Sequence, residues 1–218
     1  SKGRADLLKL ELWQRALVSL IFGVVDDEGR RIFQEVFVVI SRKNGKSLLA
    51  TAIAECVAFM DGEYGGEIYC IAPKLEQAGI VYDGIYNSIQ AEPELKELVK
   101  KRRADVYIEE SNTVMRPLAF SAKKSDGFNP SCVIADEIAS WQGDAGLKQY
   151  EVLKSAFGAR RQPLMVSIST AGYINDGIYD ELMKRSTAFL NGDSRELHLL
   201  PILYILLQID SLRHHRWY

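Results

Sequence analysis

The stretch IFQEVFVVISRKNGKSLLA, residues 32–50, decides how the rest of the chain is read. A β-branched and aromatic run leads into a short polar loop. A helical stripe of Leu49, Ala52, Ile53, Cys56, Val57 and Met60 leads out of it. The loop ends in Gly45-Lys46-Ser47, as does the phosphate-binding template G-x-x-x-x-G-K-[ST] between a strand and a helix. Ile40 stands where that template has its first glycine. The physical needs of such a loop are separable. Gly45 lets the backbone bend so that successive N–H groups face an anion. The helix start aims its positive end at the same place. Lys46 supplies a charge for the β- and γ-phosphates, and the Ser47 hydroxyl suits Mg²⁺. Arg42 is placed to reach a γ-phosphate, and Ser41, Lys43 and Asn44 complete the nucleotide-binding candidates. A Gly-Lys-Ser turn also suits a helix start that binds nothing, so the loop needs support from elsewhere in the chain.

That support comes from the ends of other apolar runs. SCVIADE, residues 131–137, is a buried-strand pattern that delivers Asp136 and Glu137 side by side. Adjacent residues at a strand end point to different sides. Asp136 can therefore serve a metal shell while Glu137 polarises an attacking water. A solvated Asp-Glu turn is the plainer alternative. PLMVSIST, residues 163–170, ends in Ser169 and Thr170, small hydroxyls suited to sensing a γ-phosphate or simply to capping a turn.

The remaining pattern sets these pieces in order. Leu10, Trp13, Leu17, Leu20, Ile21 and Val24 share one helical face near the N-terminus. On that helix Gln14 can pair with an adenine edge, and Trp13 can stack on the base. A strand is expected over 32–40, another over 67–73, helices through 75–89, 93–100, 147–157 and 177–190, and a late core strand over 197–209. Short strand-like pieces separated by turns occupy 104–122. Strands alternating with helices predict an α/β domain with a mostly parallel sheet covered on both faces. Ligands of such sheets bind at the carboxyl ends of the strands, where the three polar clusters fall.

Composition narrows the function classes. The 218 residues carry 27 Lys and Arg against 29 Asp and Glu, net −2, so no global basic field draws in nucleic acid. Basic clusters at 100–103, 160–161 and 213–216 would give weak, non-specific, salt-sensitive DNA contact. Cys56, Cys70 and Cys132 lie far apart with no C-x-x-C pair, which argues against a disulfide framework or a zinc site. The apolar run at 197–209 is short for a bilayer span and holds His198 and Pro201, so no membrane association is expected.

An ordered series of motifs resembles the ATPase domain of the tailed-phage terminase large subunit. The series is Trp13-Gln14, FGVVDDEGRR at 22–31, SRKNGKS at 41–47, EIYCIAPKLEQA at 67–78, DGFNPSCVIADE at 126–137 and SISTAGY at 167–173. The glycine-poor SRKNGKS loop is itself typical of that family, so Ile40 becomes an identifier. The resemblance implies a P-loop NTPase of the additional-strand, catalytic-glutamate type. It also implies an ATP- and Mg²⁺-dependent motor that packages double-stranded DNA into a procapsid. In that reading Lys46, Arg42 and Glu137 are catalytic, Ser47 and Asp136 serve the metal, and Ser169 and Thr170 couple hydrolysis to movement. The implied partners are the small terminase subunit, the portal protein and further copies of the chain in a ring, with a monomer expected in isolation. The implied location is the cytoplasm of the bacterial host. A basic residue acting on a neighbour's γ-phosphate is sought at Lys123 or Lys124, with Arg102 and Arg103 as alternatives. The ATPase domain is expected over 1–205, with an atypical tail over 206–218. No nuclease domain is expected, and no nuclease activity is expected of these residues. A helicase-like ATPase and a non-catalytic prophage remnant that only binds packaging partners are the rival readings.

Overall fold

The computed structural model describes residues 9–119, 128–172 and 176–204. In chain order, helix α1 (Leu12–Gly23) precedes strand β1 (Glu35–Val39) and helix α2 (Lys46–Met60). Strand β2 (Glu67–Ala72) is followed by helices α3 (Leu75–Ala91) and α4 (Pro93–Leu98), then by strands β3 (Val99–Lys101), β4 (Val106–Ile108) and β5 (Thr113–Ala119). Strand β6 (Cys132–Asp136) leads through a 3-10 turn (Ile138–Ser140) to α5 (Gly143–Ser155), β7 (Leu164–Ser169), α6 (Ile178–Leu190) and β8 (Leu199–Leu203).

The eight strands form one sheet in the order β3-β4-β5-β2-β6-β7-β1-β8. From β5 to β8 every pairing is parallel; β3, β4 and β5 are joined antiparallel. Parallel central strands are covered on both faces, which is why β1 reads as an unbroken apolar run instead of an alternation. Val36 and Val38 enter a core with Leu17 and Ile21 of α1, Leu49 and Ile53 of α2 and Ile85 of α3. Phe37 and Val39 face the opposite core, built with Trp141, Tyr150 and Leu153 below and Ile178 and Leu182 of α6. Each fully buried side chain of this kind contributes about 1.5–3 kcal/mol.

Four expectations shift. The helix expected over 93–100 stops at Leu98, because residues 99–101 pair with β4 as strand β3. The first strand begins at Glu35, not residue 32, because the chain ahead of it pairs elsewhere: Ile32 N–H donates to the Val24 carbonyl, and Val25 and Arg31 form an antiparallel bridge. The N-terminal helix is rotated from its apolar stripe. It buries Gln14, Leu17 and Ile21 and leaves Leu12, Trp13 and Leu20 exposed. A polar contact of Gln14, described below, sets that rotation. The late strand is shorter on its described part, Leu199–Leu203. Its Pro201 is tolerated because among the described residues β8 lies at the sheet edge, paired with β1 alone.

Candidate functional site

The polypeptide leaves β1 at the rim formed by the carboxyl ends of the parallel strands. Ile40 does not act as a missing glycine. It is buried in the core, and its N–H donates to the Ser169 carbonyl at 3.1 Å, so it extends the β1–β7 ladder by one residue. The sharp bends come later, at Lys43 (φ 67) and Gly45 (φ 74). Ser41 and Asn44 close the loop on itself: the Asn44 amide donates to the Ser41 hydroxyl at 2.5 Å. Gly45 is required twice over. Its φ is left-handed, and a Cβ there would lie 2.6 Å from Nε2 of Gln14. Ser41, Arg42, Lys43, Asn44 and Ser47 are exposed, with Gly45 and Lys46 half-buried, so the loop is open to a ligand while its two ends are anchored.

Lys46 and the acid pair, 91 residues apart in the chain, meet at this rim. Lys46 Nζ lies 2.7 Å from Glu137 Oε1 and 3.9 Å from Asp136 Oδ1. Asp136 is the last residue of β6; Glu137 follows in a left-handed conformation (φ 53, ψ 45) that is uncommon for a side-chain-bearing residue. The Glu137 N–H donates to Asp136 Oδ1 at 2.9 Å. Burial pushes the Asp136 carboxyl above the ordinary carboxylate range, and the Lys46 ammonium partly opposes that shift. Asp136 together with the exposed Ser47 hydroxyl is a hard-oxygen donor set of the kind Mg²⁺ takes. Among the described residues no group of three or more His, Cys, Asp or Glu side chains could hold a metal. Such a set fits an ion completed by phosphate oxygens and water.

The adenine reading of Gln14 does not match its surroundings. Gln14 is 1% exposed, and both ends of its amide are engaged: Nε2 donates to the Gly45 carbonyl at 3.1 Å, and Oε1 accepts from Glu11 N–H at 2.9 Å. The residue braces α1 against the phosphate loop. Trp13, 38% exposed, lines a cleft of about 320 Å³ with Ile40, Asn44, Ile202 and Tyr204. Tyr204 went unnoticed in the sequence. Its N–H donates to the Val39 carbonyl, which carries the edge strand on beside the loop. In the sequence Tyr204 sits inside the apolar run 197–209, which hides it among core residues.

Ser169 is fully buried and its Oγ accepts the Ala139 N–H at 3.2 Å, so it touches the turn that carries Glu137. Thr170, half-buried, lies just past the end of β7. Lys123 and Lys124, and the basic cluster at 213–216, lie outside the described residues. In the other basic clusters several side chains have partners within the chain. Arg102 pairs with Asp105 at 2.5 Å and covers the Tyr107 ring, and Lys100 pairs with Glu109. Arg160 donates to the carbonyls of Gly65 and Asn129. Cys70 and Cys132 are buried free thiols, with Cys70 pushed up to about 12 by burial. No described helix is long and apolar enough to cross a membrane.

A strand, a Gly-Lys-Ser loop and a helix, with a carboxylate-bearing strand one place removed across β7, define a P-loop domain of the additional-strand type. The family model described as the terminase large subunit, ATPase domain, matches residues 12–187, and the chain belongs to that family. The terminase large subunit of Lactococcus phage p2 is 27% identical over 192 residues, covering 83% of this chain and 35% of its own. The chain thus spans about a third of that relative's length. The crystal structure of the bacteriophage HK97 large terminase superposes with a TM-score of 0.75 at 21% identity, over 92% of this chain and 40% of that one. The large terminase of the thermophilic bacteriophage D6E, solved in complex with ADP, superposes with a TM-score of 0.57 at 12% identity, over 94% of this chain and 49% of its own. Both structural likenesses concern the fold.

Proposed function

We propose that this domain hydrolyses ATP with Mg²⁺ and that the hydrolysis drives double-stranded DNA into a procapsid. The observation that carries the reading is the meeting of Lys46 with Asp136 and Glu137 beneath an exposed, glycine-bent loop at one rim of the sheet. Family membership and the ADP-bound D6E neighbour support the nucleotide.

Without nucleotide, Lys46 is neutralised by Glu137. A triphosphate seated on the loop offers Lys46 a denser negative charge, and the ammonium turns to the β- and γ-phosphate oxygens. Glu137 is then released to a water molecule. The water oxygen attacks the γ-phosphorus, Glu137 takes its proton, and the bond to the β–γ bridging oxygen breaks, leaving ADP and phosphate. Arg42 steadies the charge on the γ-phosphoryl group. Ser47 and Asp136 would hold Mg²⁺, whose contribution is to neutralise charge on the phosphate oxygens. The base stacks in the cleft of Trp13 and Tyr204 in place of pairing with Gln14. Ser169 and Thr170 relay the loss of phosphate to the Glu137 turn. A basic residue from a neighbouring copy, with Lys123 and Lys124 as candidates, completes the site in a ring on the portal. The small terminase subunit delivers the DNA.

Phosphate release from γ-labelled ATP, with and without Mg²⁺, tests the chemistry. Lys46→Ala is expected to weaken ATP binding by about a hundredfold, the loss of a charge-assisted contact worth up to about 3 kcal/mol. Glu137→Gln is expected to bind ATP normally and to turn it over about a thousandfold more slowly. A folded wild-type chain that neither binds nor hydrolyses ATP would replace this reading with a non-catalytic, partner-binding role.

A further inference from the structure

The turn that carries Glu137 is held by a side chain that no part of the reaction scheme uses. Trp141 lies four residues beyond Glu137 and is 2% exposed. Its indole Nε1–H donates to the Asp136 carbonyl at 3.2 Å, back across the turn. That carbonyl belongs to the peptide joining the two acids. Between them the chain reverses through the left-handed Glu137 and a 3-10 turn in which Ser140 N–H donates to the Glu137 carbonyl at 2.7 Å and Trp141 N–H to that of Ile138 at 3.0 Å. A left-handed conformation costs a non-glycine residue about 1–2 kcal/mol and persists only where its surroundings over-determine it.

The indole is itself fixed from behind. It sits in the core with Leu153, Ile178 and Tyr179. The backbone of Trp141 is a junction: a Cβ on Gly146 in the first turn of α5 would fall 2.3 Å from the Trp141 carbonyl oxygen, and one on Gly177 ahead of α6 would fall 2.9 Å from it. Both helices therefore approach the Trp141 backbone more closely than a side chain allows. The ring and its N–H are anchored by two helices while the acid pair hangs from the other side.

We propose that Trp141 is the positioning residue for Glu137. Its N–H fixes the Asp136–Glu137 peptide and with it the turn that swings the Glu137 carboxylate over Lys46 and the phosphate loop. The proposal rests on the role of Glu137 given above. Trp141 does not reach the nucleotide site, so its loss acts on turnover and leaves binding alone.

The test is single-turnover hydrolysis and ATP binding for the full chain with Trp141→Phe, which keeps an aromatic ring and deletes the donor. The expected result is a fall in the hydrolysis rate of about tenfold, about 1.4 kcal/mol at the transition state, with the ATP dissociation constant within twofold of wild type. Should Trp141→Phe fold poorly, replacing Trp141 with benzothienylalanine by nonsense suppression retains the shape of the ring and removes only the N–H; the same tenfold loss is expected. Combined with Glu137→Gln, neither replacement should lower the residual rate further. An unchanged rate in either folded variant, or a parallel loss of ATP affinity, overturns the positioning role. Full activity in Glu137→Gln overturns instead the reading on which it rests, and the two failures are distinct.

Discussion

The two ends of strand β1 are built on opposite electrostatic terms. At its start, Glu35 is buried but saturated: Arg185 donates to both carboxylate oxygens at 2.9 and 2.7 Å, Lys154 to one at 2.8 Å and the Tyr150 hydroxyl to the other at 2.6 Å. Burial by itself would raise this acid, yet the hydrogen bonds from Arg185, Lys154 and Tyr150 outweigh it and hold Glu35 at about 2. At the other rim, burial wins. Asp136 is raised, Glu137 is left-handed, and among the described residues a single lysine serves both carboxylates. One end clamps β1 to α5 and α6 with every charge matched. The other leaves acids under-compensated, a state that an incoming metal cation can relieve. Functional sites commonly carry such unresolved interactions, while the scaffold that holds them does not.

This contrast can be broken or sharpened in order of expected effect. Glu137→Gln is expected to slow hydrolysis by about a thousandfold, in line with general-base removal, while unfolding by urea stays close to wild type; a thousandfold loss accompanied by equal destabilisation would erase the distinction between the two ends. Glu35→Gln is expected to cost about 3 kcal/mol of stability, the range for breaking a buried ion pair from one side, and to leave the Kd for ATP unchanged. The same clamp makes stability fall in acid. Its folded pKa lies below the ordinary 4.5, so its contribution is complete above that value and is lost as pH drops towards about 2. Urea midpoints measured across that window should converge for wild type and Glu35→Gln at the acid end.

Smaller effects test the rim. Gly45→Ala places a side chain at φ 74 and against Gln14, and is expected to destabilise by about 1–2 kcal/mol and weaken nucleotide binding. Asp136→Asn should act in the other direction on stability. The raised acid binds its proton more tightly in the folded state, so ionising it costs stability as pH rises above the ordinary 3.8. At neutral pH the asparagine variant should therefore melt slightly higher than wild type while losing activity. A melting temperature that falls instead would place Asp136 with the matched charges of the Glu35 end.

Much of the site could be read from residue order. Gly45-Lys46-Ser47, Asp136-Glu137 and Ser169-Thr170 each follow an apolar run, and the strand-end rule for parallel sheets gathers them at one rim. The roles of single side chains were less legible. Gln14 looked like a base-reading amide, yet it braces Gly45, because what an amide bonds depends on which backbone group the fold brings within 3 Å. Arg160 looked like part of a phosphate-tracking cluster and bonds two carbonyls from distant turns. Trp141 belongs to no motif the sequence singles out, and Tyr204 lies in a run read only as core.

What the sequence determined by itself is the periodicity of its apolar residues and the chemistry placed at the ends of its runs. These depend on neighbours a few positions apart, and they specified the α/β sheet, the phosphate loop and the acid pair. The tertiary structure alone decided which way each polar group turns: Lys46 towards Glu137, Gln14 into the loop, Trp141 back to the Asp136 carbonyl, Glu35 into a cage of four donors from three side chains. A buried polar atom must find a partner within hydrogen-bond reach, and in this chain those partners come from segments as far as 150 residues away.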